Sequence, residues 1–256
     1  VRQYNPRTGM EALLIQPTSK SSARQRTGRA GREAPGECYR LYPEEAFLTL
    51  QDETVPEILR TNLSNVILTM KAAGVEDILA FDYLDAPSLD GLQRGLEELF
   101  ALGALDNLGK LTDSGRLMAE CPLIPQLSRV LLEAKRLGCV DECLSIISML
   151  NTETIFFTSG EERERVAAAK KTFMHRSGDH LTYLNVFSAY QAHANDPKWC
   201  HNNAIDQRSM KHVCEVREQL VQFCEKHKIP LSSAAGNVDK ILQAFTSGYF
   251  MQSAVR

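Results

Sequence analysis

"PQLSRVLLEAKRLGCVDECLSIISML", residues 125–150, holds two apolar runs at helical spacing, separated by Gly138 and Cys139. A two-residue link leaves room for a tight reversal only, so the stretch is predicted to be an antiparallel helical pair. The same periodicity continues downstream, with helices expected at 161–172, 179–194 (Leu181, Leu184, Phe187, Tyr190), 203–227 (Ile205, Val213, Val216, Leu220, Phe223) and 237–247. From Cys121 onward the chain reads as a helical bundle, with Trp199 as a core anchor and with Asp179 and His180 as the cap and first turn of a helix.

Working towards the N-terminus, "TVPEILRTNLSNVILTMKAAG" (54–74) reads as one helix. Thr54 would be its N-cap, Pro56 its first turn and Gly74 its stop, with Ile58, Leu59, Leu63, Val66, Ile67 and Met70 as its apolar stripe. "SLDGLQRGLEELFALGALD" predicts a second helix whose buried face is Leu89, Leu92, Leu96, Leu99 and Phe100, ending at Gly103. A tight turn at Asn107-Leu108-Gly109 between short strands and a helix capped by Thr112 follow, a pattern that suits a winged helix. The first 51 residues read as α/β: a β-hairpin with Pro6 and Gly9 in its turn, an apolar run 10–17, a helix leading into a glycine-punctuated turn, and "ECYRLYP" (37–43) alternating as a strand does.

The chain has 256 residues, 43% hydrophobic and 24% charged, which is enough for a sizeable core. No run of about 18 apolar residues is present, so no membrane span is expected. Val1 is not an initiator Met and no signal pattern follows it, which suggests a soluble piece of a longer chain. Seven cysteines, an odd number lying mostly in apolar helical patterns, point to reduced thiols rather than disulfides. Cys139 with Cys143, or Cys200 with His201, could be imagined around zinc, but no paired CxxC spacing supports a metal site and none is assigned.

Charge is localised. Residues 1–42 carry eight Lys and Arg against three acids, while the whole chain is at −3. One basic face opposite phosphates fits this better than a general nucleic-acid coat. Its focus is "ARQRTGRAGRE" (23–33), where Arg24, Arg26, Arg29 and Arg32 crowd around Gly28 and Gly31. Such crowding calls for an anion, and the glycines leave room for one to approach.

"QRTGRAGR" (25–32) with "PGECYRLYPEEAF", "VPEILRTNL", "ALGAL…LTDSGRLMAECPL", "GDHLTYLNVF" and "WCHNNAIDQRSM" resembles the C-terminal portion of the DEAH-box RNA-dependent ATPases, the spliceosomal and ribosome-biogenesis RNA helicases. The likeness runs along essentially the whole chain. It implies a mainly α protein with a small α/β part: the end of a second RecA-like domain over 1–51, a winged helix over 52–120, a helical-bundle ratchet domain over 121–246, and the start of a truncated OB-fold over 247–256.

What the resemblance implies about chemistry is specific. Arg29 and Arg32 would be arginine fingers on ATP, stabilising charge on the γ-phosphoryl group. Gln25 and Gly28 would join them around the nucleotide, while Arg24 and Arg26 would make supporting salt bridges or face solvent. No GxxxxGK[ST] loop and no DEAH tetrapeptide occurs here, so ATP with Mg²⁺ would be held mainly by an N-terminal domain outside this sequence. The hairpin, with Arg2, Tyr4 and Arg7, would act at one end of a bound single-stranded RNA; Thr152, Thr154, Lys198, Arg208 and Lys211 would line the RNA channel on the ratchet domain. Partners would be ribonucleoprotein complexes and an activator protein bound through the OB-fold, with the nucleus, for mRNA splicing or ribosome assembly, favoured over the cytoplasm. The competing reading is a stand-alone module that binds RNA or protein without catalysis.

Overall fold

The computed structural model describes residues 1–152, 154–157, 163–193 and 196–253. It divides into two compact units, Val1–Thr112 and Asp113–Arg256, so the stretch 52–120 is shared between them.

The second unit is built around the helical pair of 125–150. Helix α6 (Pro125–Leu137) begins on Pro125, whose missing N–H costs nothing in a first turn, and stops where Gly138 takes a left-handed φ of 73°. After Cys139, α7 (Val140–Leu150) is buried along almost its whole length, including Val140, Cys143, Leu144, Ile146, Ile147 and Met149. Its buried Ser145 and Ser148 donate to the Asp141 and Leu144 carbonyls, which removes the cost of sinking two hydroxyls in an apolar core. Around α7 stand α5 (Asp113–Glu120), α8 (Arg163–Phe173), α9 (Asp179–Ala192), α10 (Pro197–Asn202), α11 (Gln207–Lys226) and α12 (Val238–Tyr249).

One core cluster joins α6 and α7 to α11 and α12 through residues such as Leu131, Ile147, Leu220 and Phe245. A second gathers Met149, Val186, Phe187, Tyr190, Met210 and Val213, with Trp199 half-buried at its edge against Phe173, Tyr190 and His193. Two differences from the sequence reading stand here. The helix expected over 203–227 begins only at Gln207, because the backbone turns at Asn203 to Ile205, with Ala204 at φ 54°, and the Asp206 carboxylate caps α11 by accepting the Arg208 N–H. The cap of α9 is Gly178, at φ 112°, with Asp179 inside the first turn. Residues 161–162 and 194, at the edges of expected helices, lie outside the described residues. Positions 247–252 continue α12 and a 3-10 turn, and 254–256 lie outside the described residues.

In the first unit, β1 (Arg2–Asn5) and β2 (Met10–Leu13) form the expected hairpin, with Gly9 at φ 68° closing the turn onto the Asn5 carbonyl. Helices α1 (Lys20–Thr27), α2 (Glu44–Leu48), α3 (Ser64–Ala72) and α4 (Leu89–Ala101) follow. Residues 37–43 are irregular and exposed, not a strand: alternation suits a strand, but no segment among the described residues pairs with it. The helix expected over 54–74 is a 3-10 turn (Glu57–Leu59) and then α3, because the Asn62 side chain accepts the Ser64 N–H and starts a new helix there. Leu63, Ile67 and Leu68 are buried on it, whereas Leu59 and Val66 are exposed.

On α4 the buried face is Gly91, Leu92, Gly95, Glu98 and Leu99; Leu89 and Phe100 point to solvent. The two glycines decide this face, since α3 comes so near that a Cβ on Gly95 would stand 2.6 Å from Ile67 Cδ1. The wing expected beyond Gly103 reduces to a single antiparallel bridge, Leu105 to Leu111, turned by Gly109 at φ 72°.

Candidate functional site

The arginine cluster is assembled by α1. Ser19 caps it, its Oγ accepting the Ser22 N–H at 3.1 Å, and Ala23 is its one buried residue, so Arg24, Gln25 and Arg26 stand exposed. The chain leaves the helix through tight turns in which the Arg29 and Ala30 N–H groups donate to the Arg26 and Thr27 carbonyls, both at 3.1 Å. Arg29 therefore sits on a hydrogen-bonded turn just beyond the helix and Arg32 in the bend that follows, both exposed. Gly28 keeps a right-handed φ of −64°, so its missing side chain opens space rather than freeing the backbone. Among the described residues no ion pair engages Arg24, Arg26, Arg29 or Arg32. Lys20, bonded to Asp52 at 2.9 Å, holds that carboxyl below its usual range, and Arg24 adds to the effect. Asp52 thus answers Lys20 at the N-terminal end of α1, while the arginines stand at and beyond its C-terminal end.

The hairpin contributes unevenly. Arg2 and Arg7 are exposed, but Tyr4 is half-buried, with its phenol beside Arg94 and Glu98 of α4. Burial, first, and the Glu98 carboxylate push that phenol above its usual pKa. The hairpin turn faces α4, since a Cβ at Gly9 would come within 3.5 Å of Arg94 Nη2. Arg94 had no sequence signal.

In the second unit, four of the five polar positions, Thr152, Thr154, Arg208 and Lys211, lie on two segments that meet at one backbone junction, and Lys198 lies on α10. Phe157 N–H donates to the Ala204 carbonyl at 2.9 Å and Asp206 N–H to the Ile155 carbonyl at 2.8 Å, which lays the segment bearing Thr152 and Thr154 beside the start of α11 with Arg208 and Lys211. Thr154, Lys198, Arg208 and Lys211 are exposed, whereas Thr152 is half-buried at the end of α7. Among the described residues, no group of three His, Cys, Asp or Glu side chains could hold a metal ion. Cys139 and Cys143 lie Sγ to Sγ at 3.9 Å, buried, and the contact to Cys139, together with burial, raises the Cys143 thiol far above its usual range.

Two family models match the chain in direct succession. Residues 95–123 match the helicase associated domain (HA2), winged-helix, and residues 124–183 the helicase associated domain (HA2), ratchet-like. Residues 95–183 are thus similar to the winged-helix and ratchet-like helicase associated domains characteristic of the C-terminal region of DEAH-type helicases. Within that region the winged-helix match takes in most of α4, the Leu105–Leu111 bridge and α5, and the ratchet-like match begins one residue before α6 and ends in the first turns of α9. The helical pair of 125–150 is thus the entrance of the ratchet-like domain.

His180, inside that match, shows how the domain is tied to α12: its ring lies 4.5 Å from the Phe245 ring. Burial lowers its pKa, with Asp179 pulling weakly the other way. A base whose folded pKa is depressed contributes stability that is complete above the unfolded value, about 6.5, and lost as pH falls through it. Urea midpoints measured between pH 7.5 and 5.5 should therefore fall less steeply for His180→Gln than for the parent chain. Parallel profiles would contradict this placement of the imidazole.

Proposed function

We propose that this chain works as part of an ATP-dependent RNA helicase, in which Arg29 and Arg32 complete an ATP site formed mainly by another domain and the hairpin with the ratchet-like domain contacts single-stranded RNA. The observation that carries the reading is the turn and bend after α1, which present Arg29 and Arg32 three residues apart, exposed and without an ion pair among the described residues. In phosphoryl transfer the negative charge spreads over the γ-phosphoryl oxygens, and a fixed arginine that meets it there stabilises the transition state more than bound ATP. Gln25, one turn earlier on the exposed side of α1, stands where it can meet a phosphate oxygen or the attacking water. The Mg²⁺ that accompanies ATP is not assigned to side chains of this chain, and the nucleotide brings it from the other domain.

For RNA, the exposed Arg2 and Arg7 supply phosphate contacts, and Arg208, Lys211 and Lys198 supply them in the second unit. Tyr4 is withdrawn against α4 and serves the hairpin's placement instead. Ribonucleoprotein complexes are the substrates this reading favours, in the nucleus. In the full-length protein, Arg7→Ala should slow duplex unwinding about tenfold while leaving ATP hydrolysis in the absence of RNA within about twofold, since phosphate contacts at the tip act on the strand and not directly on the nucleotide. Equal loss of both activities would remove the RNA assignment of the hairpin.

A further inference from the structure

Residues 51–60 form only one 3-10 turn, yet they are tied at both ends to the two parts of the first unit that the proposed function uses. At the start, the Gln51 and Asp52 carbonyls accept the Lys20 and Ser21 N–H groups at 2.8 and 2.9 Å. Asp52 Oδ1 accepts from Lys20 Nζ at 2.9 Å. Thr54 Oγ1 lies 2.7 Å from Ser19 Oγ and 2.9 Å from Ser22 Oγ, so one hydroxyl bridges the buried cap of α1 and a residue of its first turn. At the other end, the Arg60 carbonyl accepts the Tyr4 N–H at 2.7 Å, and Arg60 Nη1 donates to the Arg2 carbonyl at 3.1 Å.

Between these ends, a cleft of ≈ 530 Å³ separates the strap from the Leu13–Thr18 segment and α1. The polar links are therefore its main attachments to α1. A displacement of β1 moves Arg60, and a displacement of the strap moves the cap of the helix whose far end bears Arg29 and Arg32. We infer that residues 51–60 form a strap through which the hairpin sets the position of the arginine turn, with Thr54 and Arg60 as its positioning residues. The inference rests on the ATP and RNA reading above and adds to it the route by which one site senses the other.

Thr54→Val keeps the side-chain shape and removes the bridging hydroxyl; Thr54→Ser keeps the hydroxyl. In the full-length protein, Thr54→Val should leave hydrolysis without RNA and the KM for ATP within about twofold, and reduce the stimulation by a single-stranded oligonucleotide about tenfold. Thr54→Ser should restore stimulation. Arg60→Gln should reproduce the defect, and the double variant should be no worse than either single one, because both lie on one path. Undiminished stimulation in Thr54→Val, or equal loss of basal and stimulated rates, would overturn the strap. Should Arg29→Ala abolish turnover while Thr54→Val retains full stimulation, the strap alone falls; should Arg29→Ala retain normal turnover, the ATP reading falls and takes the strap with it.

Discussion

Arg29→Ala and Arg32→Ala in the full-length protein should each lower kcat for ATP hydrolysis by at least about 10²-fold, within the range expected for losing a guanidinium that meets transition-state charge. Nucleotide affinity should fall far less. The expectation follows from where the side chains stand: beyond the end of α1, Arg29 on a hydrogen-bonded turn and Arg32 in the bend after it, without an acidic partner among the described residues. Arg24→Ala is the matched control. It removes the same charge from the same neighbourhood, but Arg24 lies inside α1 rather than beyond its end, so it should cost only a few-fold. A diffuse basic patch would respond about equally to all three changes and would recover as salt is lowered. Equal damage from Arg24→Ala, or near-normal turnover in both finger variants, would show that the cluster merely attracts anions.

The second large effect concerns packing. Helices α6 and α12 cross so closely at Gly248 that a Cβ there would run into the Gln126 carbonyl oxygen, with Val130 Cγ2 at 2.8 Å and the Gln126 carbonyl carbon at 3.1 Å. A backbone carbonyl inside a helix cannot rotate aside, so the helices must separate and loosen Leu131, Ala134, Ala244 and Phe245 around the crossing. Gly248→Ala should cost about 2 kcal/mol even after the gain of about 1 kcal/mol that alanine brings to a helix. For a chain of this size that corresponds to a Tm lower by about 4–8 °C. Gly95→Ala is the milder contrast, because the nearest obstacle is the end of the Ile67 side chain rather than a carbonyl, and the backbone of α3 stands farther off, with Ser64 N at 3.3 Å. That variant should stay within about 1 kcal/mol of the parent. If Gly248→Ala melts with the parent chain, the crossing is not as close as described.

The helical pair of 125–150 was legible in the sequence because its signals are local: apolar period, a proline at the start and a glycine at the reversal. The hairpin turn was legible for the same reason. Residues 37–43 misled because alternation describes what a strand needs from its own side chains and says nothing of the neighbour it must bond. The face of α4 misled because apolar periodicity weighs large residues, whereas Gly91 and Gly95 let α3 approach and left Leu89 and Phe100 outside. At the candidate site, the arginine cluster announced itself by composition. The strap did not, because Thr54 meets Ser19 across 35 residues of sequence and Arg60 meets Arg2 across 58, and no spacing encodes such contacts.

The claim that Arg29 and Arg32 meet charge that develops in the transition state is tested most directly by comparing the affinity of the full-length protein for ADP with its affinity for ADP plus aluminium fluoride, which imitates the transferring phosphoryl group. Each finger variant should bind the aluminium fluoride complex about 10²-fold more weakly than the parent while its affinity for ADP stays within a few-fold, and Arg24→Ala should leave both values near the parent's. Equal weakening of the two ligands, or no change in either, would contradict the assignment.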